Sequence, residues 1–436
     1  MLNSTVRVLS DKGVTFQGVI IQLSQIPVQS LARAERRVVT TCANAIREGE
    51  MACDDVREAS KAFRDCGQRD YAILAMQIGQ RIAIELQNRD ELGYFYSQLV
   101  KTCLHFGEAT LAVEFARRFA SNFNGSDNDA SVARNQLVGA LLANGQRDEA
   151  LAQVQQNVTE FGGDIDSAYN ANIAKNQLVE VLLANGQRDA ALAQVLQNVS
   201  EFDEDSREGR SARNQLVEVL LASGRRRKAL VQVAQNVADF DIDSRDGRIA
   251  RCLLVEALLA NGQPGNALAQ ALQNVNNFGE ERDEMGCRNQ LVIVFLANGI
   301  ADRALQLAQR NERDFGQAGK SGRIARTQLA MAWLANGEYR TASAQARRNV
   351  ESFGANTRDG KIAQILLDKC EGFVCRQGQP QAGSNQGDLW DETRKFVEGI
   401  VRTRWTSRFW EQGVYNFISR NRTAGMVAGN GQGPTP

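Results

Sequence analysis

His105 is the only histidine in a chain of 436 residues, and Cys103 stands two positions before it. A cysteine–histidine pair could make an activated thiolate, but side chains two apart on a helix point about 200° away from each other. The two form no local dyad, and only a distant cysteine could meet the imidazole. His105 therefore reads as a packing or surface histidine. The eight cysteines (Cys42, Cys53, Cys66, Cys103, Cys252, Cys287, Cys370 and Cys375) contain no Cys-x-x-Cys pair. One histidine and scattered cysteines do not supply the tetrahedral ligand spacing of a zinc site. Buried free thiols in a reducing compartment are expected instead. The chain has no phosphate-binding glycine loop, no Gly-x-Ser-x-Gly and no dinucleotide fingerprint. Its carboxylates recur at a fixed spacing, which suits helix caps and solvated faces better than a catalytic acid. No catalytic set, no cofactor and no metal site is expected.

Charge and hydropathy narrow the partners. Fifty-one basic residues balance fifty-one acidic ones. That balance disfavours a general nucleic-acid binder, which needs a basic excess facing phosphates. Arginine outnumbers lysine 42 to 9, and its planar fork suits ion pairs between helices. No run of about 18 apolar residues exists, so no transmembrane helix is expected. Residues 1–26 lack the pattern of a secretory leader. The expected location is the cytoplasm.

The elements that would position any site are repeated. ARNQLVGALLANGQRDEALAQVQQNVTEF at 133–161 returns as AKNQLVEVLLANGQRDAALAQVLQNVSEF at 174–202 and as ARNQLVEVLLASGRRRKALVQVAQNVADF at 212–240. Further copies occupy 250–278, 287–315 and 325–353. The turn glycines are Gly145, Gly186, Gly224, Gly262, Gly299 and Gly337, spaced 41, 38, 38, 37 and 38 residues apart. Two degenerate copies with Gly67 and Gly107 precede them. Each unit reads as two helices. In 174–202, Leu178, Val181 and Leu182 make the first apolar stripe, at the i, i+3, i+4 spacing of a helix. Asn185-Gly186 ends the first helix, since both residues tolerate a left-handed cap. Asp189 opens the second helix, whose stripe is Leu192, Val195, Leu196, Val199 and Phe202. The polar linker 203–210 offers Asp and Ser as caps for the next unit. Helices of about 12 residues are unstable alone, so stacking on neighbours must complete the burial.

These units resemble tetratricopeptide repeats. The likeness lies in Leu178, the turn Asn185-Gly186 and Ala191-Leu192, and recurs as Leu137, Gly145, Ala150-Leu151 and as Leu216, Gly224, Ala229-Leu230. It departs from the family where Lys175 or Arg213 replaces an aromatic residue, where Val179 or Val217 replaces a small one, and where Phe-Asp or Phe-Gly replaces a closing proline. The resemblance implies an all-α fold: a right-handed α-solenoid of about eight TPR-like helix-turn-helix repeats, 37–41 residues each, with a C-terminal helical cap. The expected organisation is an N-terminal segment and leading cap helix over 1–52, the solenoid over 53–376, and a linker over 377–387. Amphipathic helices over 388–422 and a disordered tail over 423–436 follow. Residues 1–30 contain β-leaning pieces (VRVL, VTFQGVIIQL), and 31–48 reads as a helix. Trp390, Trp405 and Trp410, interleaved with Arg402, Arg404 and Arg408, suit either closure of the array end or contact with a membrane surface.

In the resembled family the face of the first helix opposite its core stripe lines a concave groove. With Leu178 at 0°, Asn176 falls near about 160°, Glu180 near about 200° and Leu183 near about 140°. The matching positions are Asn135 and Leu142; Asn214, Glu218 and Leu221; Glu256 and Leu259; Asn289 and Leu296; Thr327 and Leu334. This Asn/Glu-edged leucine face would hold a protein or peptide with apolar anchors and basic groups. Packing of the leucines on the adjacent first helix is the competing reading. A second column, Asn157, Asn198, Asn236, Asn274, Asn311 and Asn349, borders the second-helix stripe and reads as a buried amide ladder supplied by the neighbouring repeat. Arg225–Lys228 forms a basic patch at a turn. The expected function is a non-enzymatic interaction scaffold or adaptor. The alternative is a secreted effector whose array targets a partner while the C-terminal helices act at a membrane or on a second partner.

Overall fold

A computed structural model describes residues 16–25, 28–48, 52–125, 128–161, 168–278, 284–316, 319–354 and 358–377. The described residues form helices and no strand. The chain divides into two compact units, 1–186 and 187–436. The first unit holds α1 (Phe16–Ser24), α2 (Val28–Arg47), α3 (Cys53–Asp65), α4 (Arg69–Glu85), α5 (Arg89–His105), α6 (Ala109–Asn122), α7 (Asn128–Ala143), α8 (Arg147–Phe161) and α9 (Ala168–Ala184). The second holds α10 (Arg188–Glu201), α11 (Arg207–Ala222), α12 (Arg226–Asp239), α13 (Arg245–Ala260), α14 (Pro264–Phe278), α15 (Glu284–Ala297), α16 (Ala301–Phe315), α17 (Gly319–Ala335), α18 (Tyr339–Phe353) and α19 (Arg358–Gln377).

Within each unit helices pack on their neighbours in sequence. In the first unit, α3 to α9 pack in consecutive order, and first helices also meet, α5 on α7 and α7 on α9. In the second, α10 to α19 pack consecutively, and α11, α13, α15, α17 and α19 meet as successive first helices. An alanine at each helix crossing lets the pairs close. Ala150, Ala191, Ala229, Ala267, Ala304 and Ala342 are all fully buried. Leucine, valine and phenylalanine from the two apolar stripes fill the remaining space, except that Leu196, read as part of the second stripe, faces outward and is half exposed.

Glycine makes each intra-repeat turn. Gly145, Gly186, Gly224, Gly262, Gly299 and Gly337 all have φ between 69° and 78°, a region that L side chains resist. The preceding asparagine does not share that conformation: Asn261 sits at φ −88°, ψ 6°. Its amide instead donates to the Arg226 carbonyl of the previous repeat at 3.0 Å, as Asn298 donates to Pro264 and Asn336 to Ala301. The turn asparagine is therefore a tie between repeats and not a second left-handed residue. The linkers behave as the residues demand. Ser206 and Ser244 cap α11 and α13 by accepting from the backbone of Gly209 and Gly247 at 2.9 Å.

The N-terminal reading needs correction. Residues 16–24, which lie in the β-leaning piece, form α1. Phe16, Val19, Ile20 and Leu23 fall on one helical face, are buried, and pack against α2, α3 and α4. Burial of that face outweighs the strand preference of the β-branched residues. The expected linker, the tryptophan-rich helices over 388–422 and the tail lie outside the described residues. Among the described residues no helix is long and apolar enough to cross a membrane.

Candidate functional site

The first-helix face is built around amides. Asn135, Asn176, Asn214 and Asn289 are buried. In the first unit, Asn135 Oδ1 accepts from Asn157 at 3.2 Å. In the second, Asn214 accepts from Asn236 at 3.1 Å and Asn289 from Asn311 at 3.2 Å. The other end of each amide reaches forward: Asn214 donates to the Asp246 carbonyl and Asn289 to the Ser321 carbonyl, both in the next repeat. The second-helix asparagines thus find their partner in their own repeat, not the neighbouring one as expected. The first-helix asparagine makes the inter-repeat bond instead.

Two substitutions show how the lock adapts. Where Cys252 and Thr327 replace the first-helix asparagine, Asn274 and Asn349 donate to the backbone carbonyls of Arg251 and Arg326, at 3.2 and 3.0 Å. A glutamine one turn earlier supports five of the six second-helix asparagines: Gln153, Gln194, Gln232, Gln270 and Gln345 each donate to the asparagine oxygen at 2.8–3.0 Å. Leu307 stands at that position in α16, and Asn311 Oδ1 accepts no bond among the described residues.

Two recurring features escaped the reading by stripe and turn. The first is the glutamine that follows the first-helix asparagine position, which Thr327 fills in α17. Gln177 donates to the Asn135 carbonyl, Gln290 to the Cys252 carbonyl and Gln328 to the Asn289 carbonyl, each at 3.0 Å. The recurring Asn-Gln dipeptide was its signal. The second is the arginine before that asparagine, which lies over the closing phenylalanine of its own repeat. Arg213 stands 4.5 Å above the Phe240 ring, Arg288 4.8 Å above Phe315 and Arg326 4.6 Å above Phe353. The same guanidinium also finds an acceptor on the second helix, Asp239 for Arg213 and Asp314 for Arg288. The Arg288 bond holds the Asp314 carboxyl below its ordinary range, against the opposing effect of burial.

The apolar and acidic members of the face separate into two groups. Leu221, Leu296 and Leu334 are buried, as are Glu218, Glu256 and Thr327. Successive first helices also meet in the second unit. Thr327 donates its hydroxyl to the Arg323 carbonyl at 2.8 Å. Leu142, Glu180 and Leu183 in the first unit, and Leu259 in the second, stay partly exposed. The face therefore presents Leu142 and Leu183, one repeat apart on the packed helices α7 and α9, with Glu180 one turn before Leu183.

Cys103 is fully buried, and burial pushes its thiol up to about 12, the reverse of an activated thiolate. His105 is partly exposed and meets the Phe106 ring edge-on at 5.0 Å. Among the described residues no cluster of histidine, cysteine and carboxylate side chains could hold a metal ion.

No protein-family model and no curated protein matches the sequence. Solved structures with a similar course of helices include a putative kinesin light chain with nearly identical TPR-like repeats from Podosopora anserina. It is 20% identical over 42% of this chain and 93% of that chain, with a TM-score of 0.36. A tetratricopeptide repeat protein from Parabacteroides merdae is 12% identical over 73% of this chain and 98% of that chain, with a TM-score of 0.40. A thermophilic TPR protein from Thermus thermophilus is 21% identical over 48% and 100%, with a TM-score of 0.33. On its own helix pairs, left-handed glycine turns and neighbour-to-neighbour packing, the chain is an all-helical repeat protein whose units resemble tetratricopeptide repeats.

Proposed function

We propose that the chain is a non-enzymatic scaffold that holds a segment of another protein on its first-helix face. The observation that carries this reading is the partly exposed trio Leu142, Glu180 and Leu183 on a frame of buried amides. Buried asparagines and glutamines hold the repeats at one spacing, so the leucines keep a constant separation without side-chain entropy loss in the frame. Two apolar anchors one repeat apart beside a carboxylate suit a segment with apolar side chains and a basic group. Leu259 adds an anchor of the same kind in the second unit. Asn176, Asn214, Glu218, Leu221, Glu256, Asn289, Leu296, Thr327 and Leu334 serve this reading as the spacing frame. The cytoplasm suits eight cysteines that form no disulfide among the described residues.

The experiment compares partners captured by the wild-type chain with those captured by Leu142→Asp/Leu183→Asp and by Glu180→Lys, identified by mass spectrometry. Both variants alter partly exposed positions, so helicity by circular dichroism should be unchanged. Partners held by the wild type and lost from both variants support the reading. An identical set on all three proteins sinks it.

A further inference from the structure

The second unit carries another surface, on its second helices. Helices α10 and α12 both pack on α11, and α12 and α14 both pack on α13. Their outward positions hold Leu196 at 50% exposure, Val231 at 62% and Leu272 at 42%. These are half of the six large apolar side chains left exposed among the described residues. Near-identical repeats allow a position-by-position comparison. Two residues before the second-helix asparagine stand Leu196, Ala234 and Leu272 in α10, α12 and α14, but Gln309 and Arg347 in α16 and α18. At this position apolar residues are confined to these three among the five copies, and Val231 stands three residues before Ala234 in α12, so solvent-facing leucine is not a requirement of the repeat.

The row ends in a patch of uncompensated positive charge. Arg225, Arg226, Arg227 and Lys228 are exposed and make no side-chain hydrogen bond or ion pair among the described residues. Other repeats place an acid here, such as Asp189 in α10 and Asp302 in α16. Neither α12 nor α14 has an acidic residue in its first turn. The four cations line a cleft between the turn at Gly224 and the turn at Gly262, with Ala260 and Asn261 on its far side. Arg227 precedes Val231 by four residues, so cation and apolar side chain share one face of α12.

We infer that the outward face of α10, α12 and α14 is a second docking surface, and that its occupant is an acidic amphipathic segment of another protein. Leu196, Val231 and Leu272 take its apolar side chains, and Arg225–Lys228 take its carboxylates. The chemistry differs from that of the first-helix face, which presents a carboxylate and suits basic groups, so the two surfaces select different partners.

The probe is a synthetic amphipathic helix with leucine on one face and glutamate on the other, titrated against the full chain by fluorescence anisotropy. The control peptide carries lysine in place of glutamate. The wild type should bind the glutamate peptide at least about tenfold tighter than the lysine peptide. Arg226→Glu/Arg227→Glu and Val231→Asp/Leu272→Asp should each weaken the glutamate peptide by a similar factor. Leu142→Asp/Leu183→Asp should leave it unchanged, which separates this surface from the first-helix face. All substituted positions are at least partly exposed, and unchanged circular dichroism confirms the fold. Equal binding of both peptides overturns the proposal. So does full retention by Val231→Asp/Leu272→Asp, which reduces the patch to general polyanion attraction. A wild-type dimer in sedimentation that Val231→Asp dissolves also overturns it, because the occupant is then a second copy of this chain.

Discussion

An asparagine buried between two helices is costly unless each end of its amide is used. Asn236 meets that demand fully: it donates to Asn214 and accepts from Gln232. Asn236→Ala strands both partners, so chemical denaturation should register a loss of about 1–3 kcal/mol. Asn311 donates to Asn289 but has Leu307 where the supporting glutamine stands elsewhere. Asn311→Ala should therefore cost less than Asn236→Ala, by about 1 kcal/mol. Equal losses would show that the glutamine contributes nothing. The thiols give a pH prediction at the same scale. Burial raises Cys42, Cys103 and Cys370 from 9.0 to about 12. The folded state keeps protons that the unfolded state releases, so stability is full below about pH 9 and falls as pH rises towards about 12. Urea denaturation at pH 8 and pH 10 tests this, and Cys103→Ala should weaken the dependence. The asparagine column and the free thiols were legible in the sequence as residue types. Which group each amide would meet was not, because a partner 22 residues away depends on how the two helices pack.

Helix ends show where single glycines matter and where they do not. A Cβ on Gly209 or Gly247 would fall far inside contact distance of the carbonyl oxygen of Asp203 or Asp241. That backbone is held in place by the serine cap, so it has little freedom to move. Gly209→Ala should cost at least about 2 kcal/mol. Gly139, within α7, faces open space, and Gly139→Ala should stabilise by up to about 1 kcal/mol by restricting the unfolded chain. Thermal or urea unfolding of the pair checks both signs. Gln87 is the one non-glycine residue with positive φ among the described residues, at 55°, in the turn between α4 and α5. That turn joins two repeats, so it lies outside the intra-repeat positions that the turn glycines mark. The helix pairs themselves were legible, since apolar spacing and turn glycines act over one or two turns of chain. Residues 16–24 were misjudged because β-branched composition is local information, whereas the buried face of α1 is a tertiary fact.

At the scale of the whole molecule, contacts run from each helix to near neighbours within a unit. Damage should therefore spread only a short way. Leu141, fully buried in α7, loses about 2–5 kcal/mol of burial and packing on truncation to alanine. Hydrogen exchange by mass spectrometry should rise in α7 and the helices packed on it while α15–α18 keep wild-type protection. A uniform rise along the chain would contradict neighbour-only coupling. The sequence by itself determined the repeat, its period, its paired helices, its glycine turns and its serine caps. Each of these follows from residue types within a few turns of chain. Only the tertiary structure decided which side of a first helix remains open. A helical wheel places Leu259 and Leu296 at the same angle, yet the first stays partly exposed and the second is buried. The angle is a property of one helix, whereas exposure depends on how closely the next first helix packs.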